Sequence, residues 1–430
     1  ATETNTVTNA ETSATTTTAA DQAGRLTKLS LAGGTPTATF SVNQKSTGGT
    51  TTAQASVVDA SGNIYVIGNA TGDFATVLGA LSTLTTGQGV AVLNAISGQN
   101  YAAFSSAMVQ GAQLFMSNFS TQTGGGGGLR ESNRVALAEA CTTACDTTLP
   151  ALWGAWGSAL GGLGSIGNGS SNGAVTYNVG GFAAGLDRVL APGLRAGVTV
   201  GYSNGTQWVA GFDGRGVSNT FQTGLYANYN EGKVYADALL GYAYSSNQMW
   251  RNIAVPGLAS RTAQGTAGAN QFFGQIEGGY RFDFGGDNGA FVTPFARLQA
   301  YTATQNAFTE SGAGSLNLSI ASQTTNSLRT VLGAQLGASM DMGWRERLAL
   351  QFRLGWSHEF ADTARPVTAL LAGAPAMPFT TFGASPLRDG AVVGFAASTA
   401  IAQGVSAFLR YEGDISGQDS THALAAGVRI

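Results

Sequence analysis

The stretch QFFGQIEGGYRFDF, residues 271–284, contains two kinds of position in alternation. Its even positions are aromatic, aliphatic or glycine, whereas its odd positions include Gln, Glu, Arg and Asp side chains. Successive side chains of a β-strand point to opposite faces, so a period of two is the pattern of a strand. The stretch therefore predicts a β-strand with one apolar face and one polar face.

The same pattern recurs in RLALQFRLGWSHEF, residues 347–360, and in other stretches from residue 149 to the end of the chain. Turns rich in Gly, Asn, Asp or Ser separate about twelve predicted strands. The connections after the even-numbered strands are tight, whereas others, notably 252–267, 307–324 and 361–388, are long. Tight turns at one end and long loops at the other are typical of an outer-membrane barrel. The predicted strands cover residues 150–162, 174–188, 193–205, 216–230, 233–252, 268–285, 289–306, 325–342, 346–362, 388–402, 404–416 and 419–430.

The composition favours a membrane barrel over a soluble protein. Charged residues make up only 10% of the chain, and 62 of its 430 residues are glycine. The chain has no run of about 18 apolar residues, so a transmembrane helix is not predicted. The net charge is −3 with scattered basic residues, so we expect no nucleic-acid partner. A soluble barrel would place its charges outside, whereas here the apolar face of most strands is almost free of charge. We therefore predict an all-β fold, a twelve-stranded antiparallel transmembrane β-barrel, with outer-membrane lipid as its partner.

Alternate positions of a strand share one face, and we call the face of a position its parity. Charged residues with the polar parity of their strands are predicted to face the lumen. There they would hydrate the interior and hold a chain segment that passes through it. The predicted lumen-facing residues are Arg195, Glu277, Arg281, Arg297, Arg329, Arg353, Glu359 and Arg410.

The segment before the strands has a helical period. Residues 88–119 combine apolar positions with small and amide side chains and contain no proline, which predicts a helix that does not face lipid. Such a helix fits a polar lumen, and a soluble amphipathic helix packed on a sheet is the alternative.

The predicted division of the chain is a passenger remnant or linker, partly disordered, at residues 1–86, a linker with the lumenal helix at 87–148, and the barrel at 149–430. A Gly-rich joint, TQTGGGGGL, follows the helix. Without an initiator Met or an apolar leader, the chain is expected to be part of a longer protein.

Cys141 and Cys145 are the two cysteines of the chain. A metal site would lack partners, because the two histidines are far away in sequence. A disulfide closing a small loop in an oxidising compartment is the preferred interpretation, and two free thiols are the alternative. We predict no metal ion and no cofactor.

Three short patterns are typical of enzymes, but their context is not. Residues 162–167 fit G-x-G-x-x-G without a βαβ unit around them, which predicts a loop between the first two strands. Two segments fit G-x-S-x-G, around Ser203 and Ser171. The histidines, His358 and His422, have the lipid-facing parity, so a Ser–His pair in the lumen is not predicted.

Segments spread along the chain carry a family resemblance. In order and spacing they resemble the C-terminal translocator of autotransporters, the type V secretion proteins. The segments are TGQGVAVLNAISGQNYAAFSSAMVQGAQLF, LWGAWGSALGG, GGFAAGLDRVLAPGLRAGVTVGYSNG, SQTTNSLRTVLGAQLG, LGWSHEF and FGASPLRDGAVVGFAAS.

The resemblance implies a twelve-stranded barrel in the bacterial outer membrane with a linker helix in its lumen. It also implies an upstream passenger at the cell exterior, and the barrel-assembly machinery and periplasmic chaperones as partners. Some relatives cleave the passenger inside the barrel with a helix Asn and lumenal acids. Asn94, Asn100 and Asn118 are candidates by composition, and Glu277, Glu359 and Glu412 have the inward parity, but an amide-rich plug without a reaction needs the same residues.

The sequence thus predicts a monomeric translocator that anchors and exports or displays an N-terminal passenger and is not an enzyme. Self-cleavage of the passenger is the alternative to this absence of activity, and no site is assigned to it. A porin-like diffusion channel and an outer-membrane esterase are the rival functions.

Overall fold

The structure, a computed structural model, describes residues 72–81, 83–122, 152–167, 173–285, 289–341, 347–402 and 404–430, together with the backbone of short strands before residue 69. Twelve long strands form one sheet. Their bounds are β1 Trp153–Ile166, β2 Val175–Ala191, β3 Leu194–Val209, β4 Gly214–Glu231, β5 Val234–Ile253, β6 Arg261–Tyr280, β7 Ala290–Gln305, β8 Gln323–Met340, β9 Leu348–Glu359, β10 Asp389–Ala402, β11 Val405–Ile415 and β12 Ser420–Arg429.

The sheet is a closed antiparallel barrel. Each strand pairs with its neighbour in the sequence, and β12 returns to pair with β1 from Ser420 opposite Ser165 to Arg429 opposite Trp156. A four-residue continuation of β6, Phe282–Gly285, pairs with the start of β7. Closure leaves no free edge, so every strand finds hydrogen-bond partners for its backbone within the wall. The predicted twelve-stranded barrel is confirmed.

The two faces of the wall follow the predicted parity. On β6, Phe272, Ile276 and Tyr280 are exposed on the outside, whereas Gln271 and Glu277 are buried inside. A continuous apolar band on the outer face of a barrel is stable only in contact with lipid.

We call the end of the barrel with the β2–β3 and β4–β5 turns the short-turn end, and the opposite end the loop end. Each of these two turns has two residues between the strands. At the loop end, the β7–β8 and β9–β10 connections build a four-stranded loop sheet from Phe308–Thr309, Leu318–Ile320, Pro366–Leu371 and Ala374–Phe382.

Two predicted connections are shorter in the structure. The predicted loop 252–267 is mostly strand, because β5 extends to Ile253 and β6 begins at Arg261. The glycines of the G-x-G-x-x-G segment lie mainly in β1, which continues to Ile166, and not in a loop. The predicted strand ends were placed where the alternation of apolar and polar residues stops. In both cases the backbone pairing of neighbouring strands continues beyond that point.

Among the described residues before the barrel, three α-helices are present: α1 Asp73–Leu81, α2 Thr86–Ser97 and α3 Ala102–Gln122. The sequence predicts a single helix over residues 88–119, whereas the structure divides this range between α2 and α3. Gly98 has a φ of 69° and ends α2 in the left-handed conformation that glycine adopts without steric penalty. A short 3-10 turn, Gln99–Tyr101, then leads into α3.

The helices α1 and α2 pack with the loop sheet into one hydrophobic cluster, which we call the cap. Phe74 and Val77 of α1 and Ile96 of α2 are buried there with Leu318 and Leu371. No helix among the described residues is long and apolar enough to cross a membrane.

Before α1, the structure gives backbone strands only. Much of the region predicted to be partly disordered, and both cysteines, Cys141 and Cys145, lie outside the described residues. The strands are Glu3–Asn9, Thr12–Thr18, Lys28–Leu29, Asn43–Thr47, Thr50–Val58 and Ile64–Gly68.

Candidate functional site

The helix α3 fills the lumen of the barrel. It has 21 residues, which corresponds to roughly 31 Å at 1.5 Å per residue, and it packs against β1–β7 and β12. Its large apolar side chains are buried, and Phe115 and Phe119 are only 2% and 1% exposed. Phe115 meets Phe273 edge-on at 5.6 Å between ring centroids, and Phe119 lies 4.9 Å from Tyr226. The lumen is therefore a packed core around the helix.

Polar contacts fix the depth of α3 in the lumen. The Tyr177 hydroxyl donates to Gln110 Oε1 at 3.3 Å, and the Thr421 hydroxyl donates to the same atom at 3.1 Å. Near the other end of the helix, Ser158 Oγ donates to Asn118 Oδ1 at 3.3 Å. Arg410 Nη1 donates to the Ser117 carbonyl at 2.7 Å. These bonds come from hydroxyl groups and one guanidinium on the wall.

Four of the predicted lumen-facing residues meet in one buried network. Arg297 Nε and Arg353 Nη2 donate to the two Glu277 oxygens at 2.6 and 2.7 Å. Glu412 accepts from Arg297 Nη1 at 3.3 Å and from Arg410. Arg297 is on β7 and Glu412 is on β11, so the network crosses the barrel. Its two carboxylates pair with its three guanidinium groups, which lowers the cost of burying these charges.

Two further predicted residues lie in separate ion pairs. Arg195 Nη1 donates to Asp187 Oδ1 at 2.7 Å near the short-turn end, where Arg429 binds the same carboxylate. Arg329 pairs with Asp414 across the lumen.

Arg281 and Glu359 lie at opposite ends of the barrel and do not join the central network. Arg281 Nε donates to Asp283 Oδ1 at 2.6 Å, and its guanidinium lies 4.1 Å from the centroid of the Phe291 ring. Glu359 accepts the backbone N–H groups of Leu328 and Ala361 at 2.7 and 2.9 Å. Glu359 therefore satisfies strand ends at the loop end and does not contact α3.

A second buried cluster at the loop end was missed by the sequence reasoning. Arg251 and Glu310 are ion-paired with both side chains 0% exposed. Tyr101 donates to Glu310 Oε1 at 2.7 Å, and Arg251 Nη1 donates to the Ala95 carbonyl at 2.5 Å. Because Glu310 lies in a predicted loop, no strand parity marked it as inward. The cluster joins the α2–α3 junction to the β7–β8 connection.

Apolar residues on the inward parity were also missed. Leu160, Tyr226, Leu239, Phe273 and Tyr301 are buried around α3. The sequence signal was present as interruptions of the polar parity, for example Phe273 beside Phe272 in the quoted stretch. These residues give the lumen an apolar girdle that matches the apolar residues of α3.

At the loop end, Asp73 attaches α1 to the start of β6 and to the β7–β8 connection. Its carboxylate accepts two Arg261 N–H groups at 2.6 and 2.7 Å and the Ser315 backbone N–H at 2.9 Å. Hydrogen bonds from Arg261, followed by the bond from Ser315, hold the pKa of Asp73 well below its usual range.

The enzyme patterns find no partners among the described residues. Ser203 is buried on the lumenal face of β3. His358 pairs with Asp389, and His422 contacts the Tyr411 hydroxyl, both on the opposite face of the wall. Ser171 lies outside the described residues. Nowhere in the described ranges do three His, Cys, Asp or Glu side chains come together as a metal site.

The self-cleavage candidates are asparagines of the helices before the barrel, and the structure describes all three. Asn100 and Asn118 are buried, and Asn118 accepts from Ser158. No carboxylate is hydrogen-bonded to the side chain of either residue or of Asn94. Self-cleavage therefore stays a prediction without a site.

A family model for the autotransporter β-domain matches residues 155–412, more than half of the chain. The chain belongs to the autotransporter family. The match begins in β1 and ends in β11, so it covers nearly the whole barrel. No curated protein matches the chain.

Solved autotransporter barrels are among the structures to which the chain is similar. The translocator domain of NalP from Neisseria meningitidis is 17% identical with a TM-score of 0.51, over 69% of this chain and 92% of that one. The β-domain of BrkA from Bordetella is 21% identical with a TM-score of 0.47, over 65% and 98%. The transport unit of AIDA-I from Escherichia coli is 13% identical with a TM-score of 0.44, over 69% and 96%.

As an autotransporter β-domain, the barrel is an outer-membrane translocator for the passenger segment of its own chain. Membership of this family favours neither the porin-like channel nor the esterase. Autotransporter translocators are transport units and not enzymes.

Proposed function

We propose that the loop end faces the cell exterior, that residues 1–86 belong to the exported part, and that α3 is the plug left in the lumen after export. The observation that supports this is the course of α3. The helix enters from the cap at the loop end and ends beside Tyr226 and Trp156, near the short turns. Residues 72–81 and 83–101 therefore lie on the loop-end side, while β1 begins at the short-turn end.

The charges of the lumen suit a passage for this segment. No Asp, Glu, Lys, Arg or His occurs in residues 74–129. The wall charges described above pair with one another, and of these only Arg410 donates to α3, through the Ser117 carbonyl. An uncharged segment moves past such a wall without breaking an ion pair, and its amide and hydroxyl groups hold it once it stops.

The partners proposed on the basis of family membership are the barrel-assembly machinery and periplasmic chaperones. The chaperones would keep the chain unfolded until the machinery inserts the barrel. We propose that the barrel works as a monomer and has no catalytic role. The predicted lumen residues Arg297, Arg353, Glu277 and Arg410 act in this proposal as the fixed polar lining that positions the plug.

Epitope accessibility tests the orientation. One epitope is placed directly before Asp73 and another in the turn between Glu231 and Val234, in otherwise identical full-length chains. Antibody on intact cells should bind the first and reach the second only after the outer membrane is opened. The reverse result would contradict the orientation.

Conductance tests the plug. A chain without residues 87–119 should show a much larger single-channel conductance in a planar bilayer than the intact chain, because the lumen loses its packed core. Equal conductance would refute the plug. The proposal that the barrel has no catalytic role is tested with purified protein. It would be refuted if the natural chain hydrolysed an ester and Ser203→Ala abolished that activity.

A further inference from the structure

Two arginines on the outer face of the barrel differ in their partners from the arginines of the lumen. Arg188 lies 5.4 Å from the ring centroid of Trp153, and Arg215 lies 5.2 Å from that of Trp250. Neither makes an ion pair or hydrogen bond with another described residue, whereas the lumenal arginines above bind carboxylates. Both guanidinium groups therefore keep their donors available to a ligand outside the protein.

The two Arg–Trp pairs lie at opposite ends of the wall. On β2, Arg188 is level with Trp153 of β1, and Thr176 is level with Trp208 of β3. Trp208 and Arg215 are the first residues beyond the last β3–β4 pair, Gln207 with Gly216. Positions 176 to 188 of one strand span roughly 40 Å at about 3.3 Å per residue, or roughly 30 Å of height for a strand tilted by about 40°. This height equals about one hydrocarbon thickness, so each pair lies at a head-group level.

The pair at the loop end is the more complete site. Arg215 of β4 is opposite Trp250 of β5. On the other side, the pairing of β3 with β4 ends at Gln207 opposite Gly216, and Trp208 and Arg215 are the next residues beyond this pair. Trp208 is 42% exposed. An arginine thus stands between two tryptophans from neighbouring strands, facing the membrane.

The chemistry of this site fits a phosphorylated sugar. A guanidinium binds phosphate through two parallel N–H groups, and flat indole rings stack on sugar faces. Asp213, the nearest acid in the sequence, is hydrogen-bonded to Asn252 and is not bonded to Arg215. The outer leaflet of a bacterial outer membrane consists largely of a glycolipid with a phosphorylated glucosamine disaccharide. The inner leaflet offers glycerophospholipids instead.

We propose that Trp208, Arg215 and Trp250 form a binding site for the phosphorylated disaccharide head group of the outer-leaflet glycolipid. The site orients one side of the barrel toward an ordered lipid, next to the β3–β4 turn. The proposal rests on the orientation given under Proposed function, because it places the loop end in the outer leaflet. The Arg188–Trp153 pair at the other end is its natural control.

Native mass spectrometry of the full chain in neutral detergent tests the site. The probes are the bisphosphorylated glycolipid, the same acylated disaccharide without phosphate, and phosphatidylglycerol. Arg215→Gln should weaken binding of the phosphorylated glycolipid about tenfold, the effect of losing one charge-assisted contact. Arg188→Gln should leave that binding unchanged, and the two other probes should not distinguish Arg215→Gln from the natural chain.

Unchanged electrophoretic mobility of unheated samples would show that both variants fold. Equal glycolipid affinity of Arg215→Gln and the natural chain would overturn the proposal, as would an equal loss in Arg188→Gln or equal use of phosphatidylglycerol at Arg215. The epitope experiment is independent of these results. Selective glycolipid binding at Arg215 together with a reversed epitope pattern would refute the orientation and leave the binding chemistry standing.

Discussion

Gly201 faces the lumen from β3, where an added Cβ atom would lie 2.7 Å from the Phe115 ring. Other inward rings also lie over glycines of neighbouring strands, for example Trp156 over Gly185 and Phe273 over Gly241. Without a side chain, each of these glycines leaves space on the inner face of its strand. In the structure, aromatic rings occupy that space, because a glycine lets a ring lie flat against the backbone.

At the residue scale, Gly201→Ala should destabilise the barrel by about 1–3 kcal/mol, because either the Phe115 ring or the helix must move. Gly205→Ala is the matched control on the same strand and face, where the nearest atom would be 3.4 Å away. It should change stability by less than about 0.5 kcal/mol. The folded barrel and the heat-unfolded chain migrate differently in gel electrophoresis. The measurement is the temperature at which the band of the folded barrel disappears. Equal transition temperatures for the two variants would contradict the packing described here.

At the scale of elements, the break between α2 and α3 separates the cap from the plug. Gly98 ends α2, and a Cβ atom there would lie 2.5 Å from Leu318 Cδ1 of the loop sheet. The buried Arg251–Glu310 pair holds the same junction from the wall. The hydrophobic pattern of residues 88–119 continues through the break, so the pattern alone could not predict it.

Gly98→Ala should loosen α2, because its left-handed backbone costs about 1–2 kcal/mol with a Cβ atom and the new atom meets Leu318. Gly89→Ala, inside α2 with no atom within 4 Å of its Cβ, should stabilise the helix by about 0.5–1 kcal/mol. Amide hydrogen exchange over residues 86–97 measures both effects. Slower exchange in Gly98→Ala than in the natural chain would argue against the described junction.

The attachment of α1 should depend on pH through Asp73. Its pKa in the folded chain is depressed by Arg261 and Ser315, so its contribution is fully present above the unfolded pKa of about 3.9 and is lost as the pH falls below it. Protection factors from hydrogen exchange over residues 73–81, which are corrected for the pH dependence of the intrinsic exchange rate, should therefore fall progressively below about pH 4. Asp73→Asn should exchange faster at neutral pH and lose most of this dependence. An identical pH profile in both chains would exclude this role for Asp73.

At the scale of the whole molecule, closure joins the last strand to the first. Asp187 of β2 is 1% exposed and binds Arg195 of β3 and Arg429 of β12. It also accepts from the Tyr226 hydroxyl at 2.8 Å. One carboxylate thus connects strands on both sides of the β12–β1 seam, in addition to the backbone ladder.

Asp187→Asn should destabilise the closed barrel by about 3 kcal/mol, because two partly buried arginines lose their counter-charge. Asp213→Asn, in an exposed turn at the other end, should change stability by less than about 0.5 kcal/mol. Urea unfolding of the barrel in detergent, followed by tryptophan fluorescence, measures the difference. If Asp187→Asn unfolds at the urea concentration of the Asp213→Asn chain, the carboxylate does not hold the seam.

The sequence by itself determined the barrel, the number of its strands, the face that meets lipid and a polar helix before β1, because alternation and helical period are local properties of the chain. Only the tertiary structure decided which charges meet. Glu277 and Arg353, or Arg297 and Glu412, come together because a closed sheet brings distant strands across one lumen. It also decided the break at Gly98 and the apolar girdle around Phe115, since both depend on what the surrounding wall leaves room for.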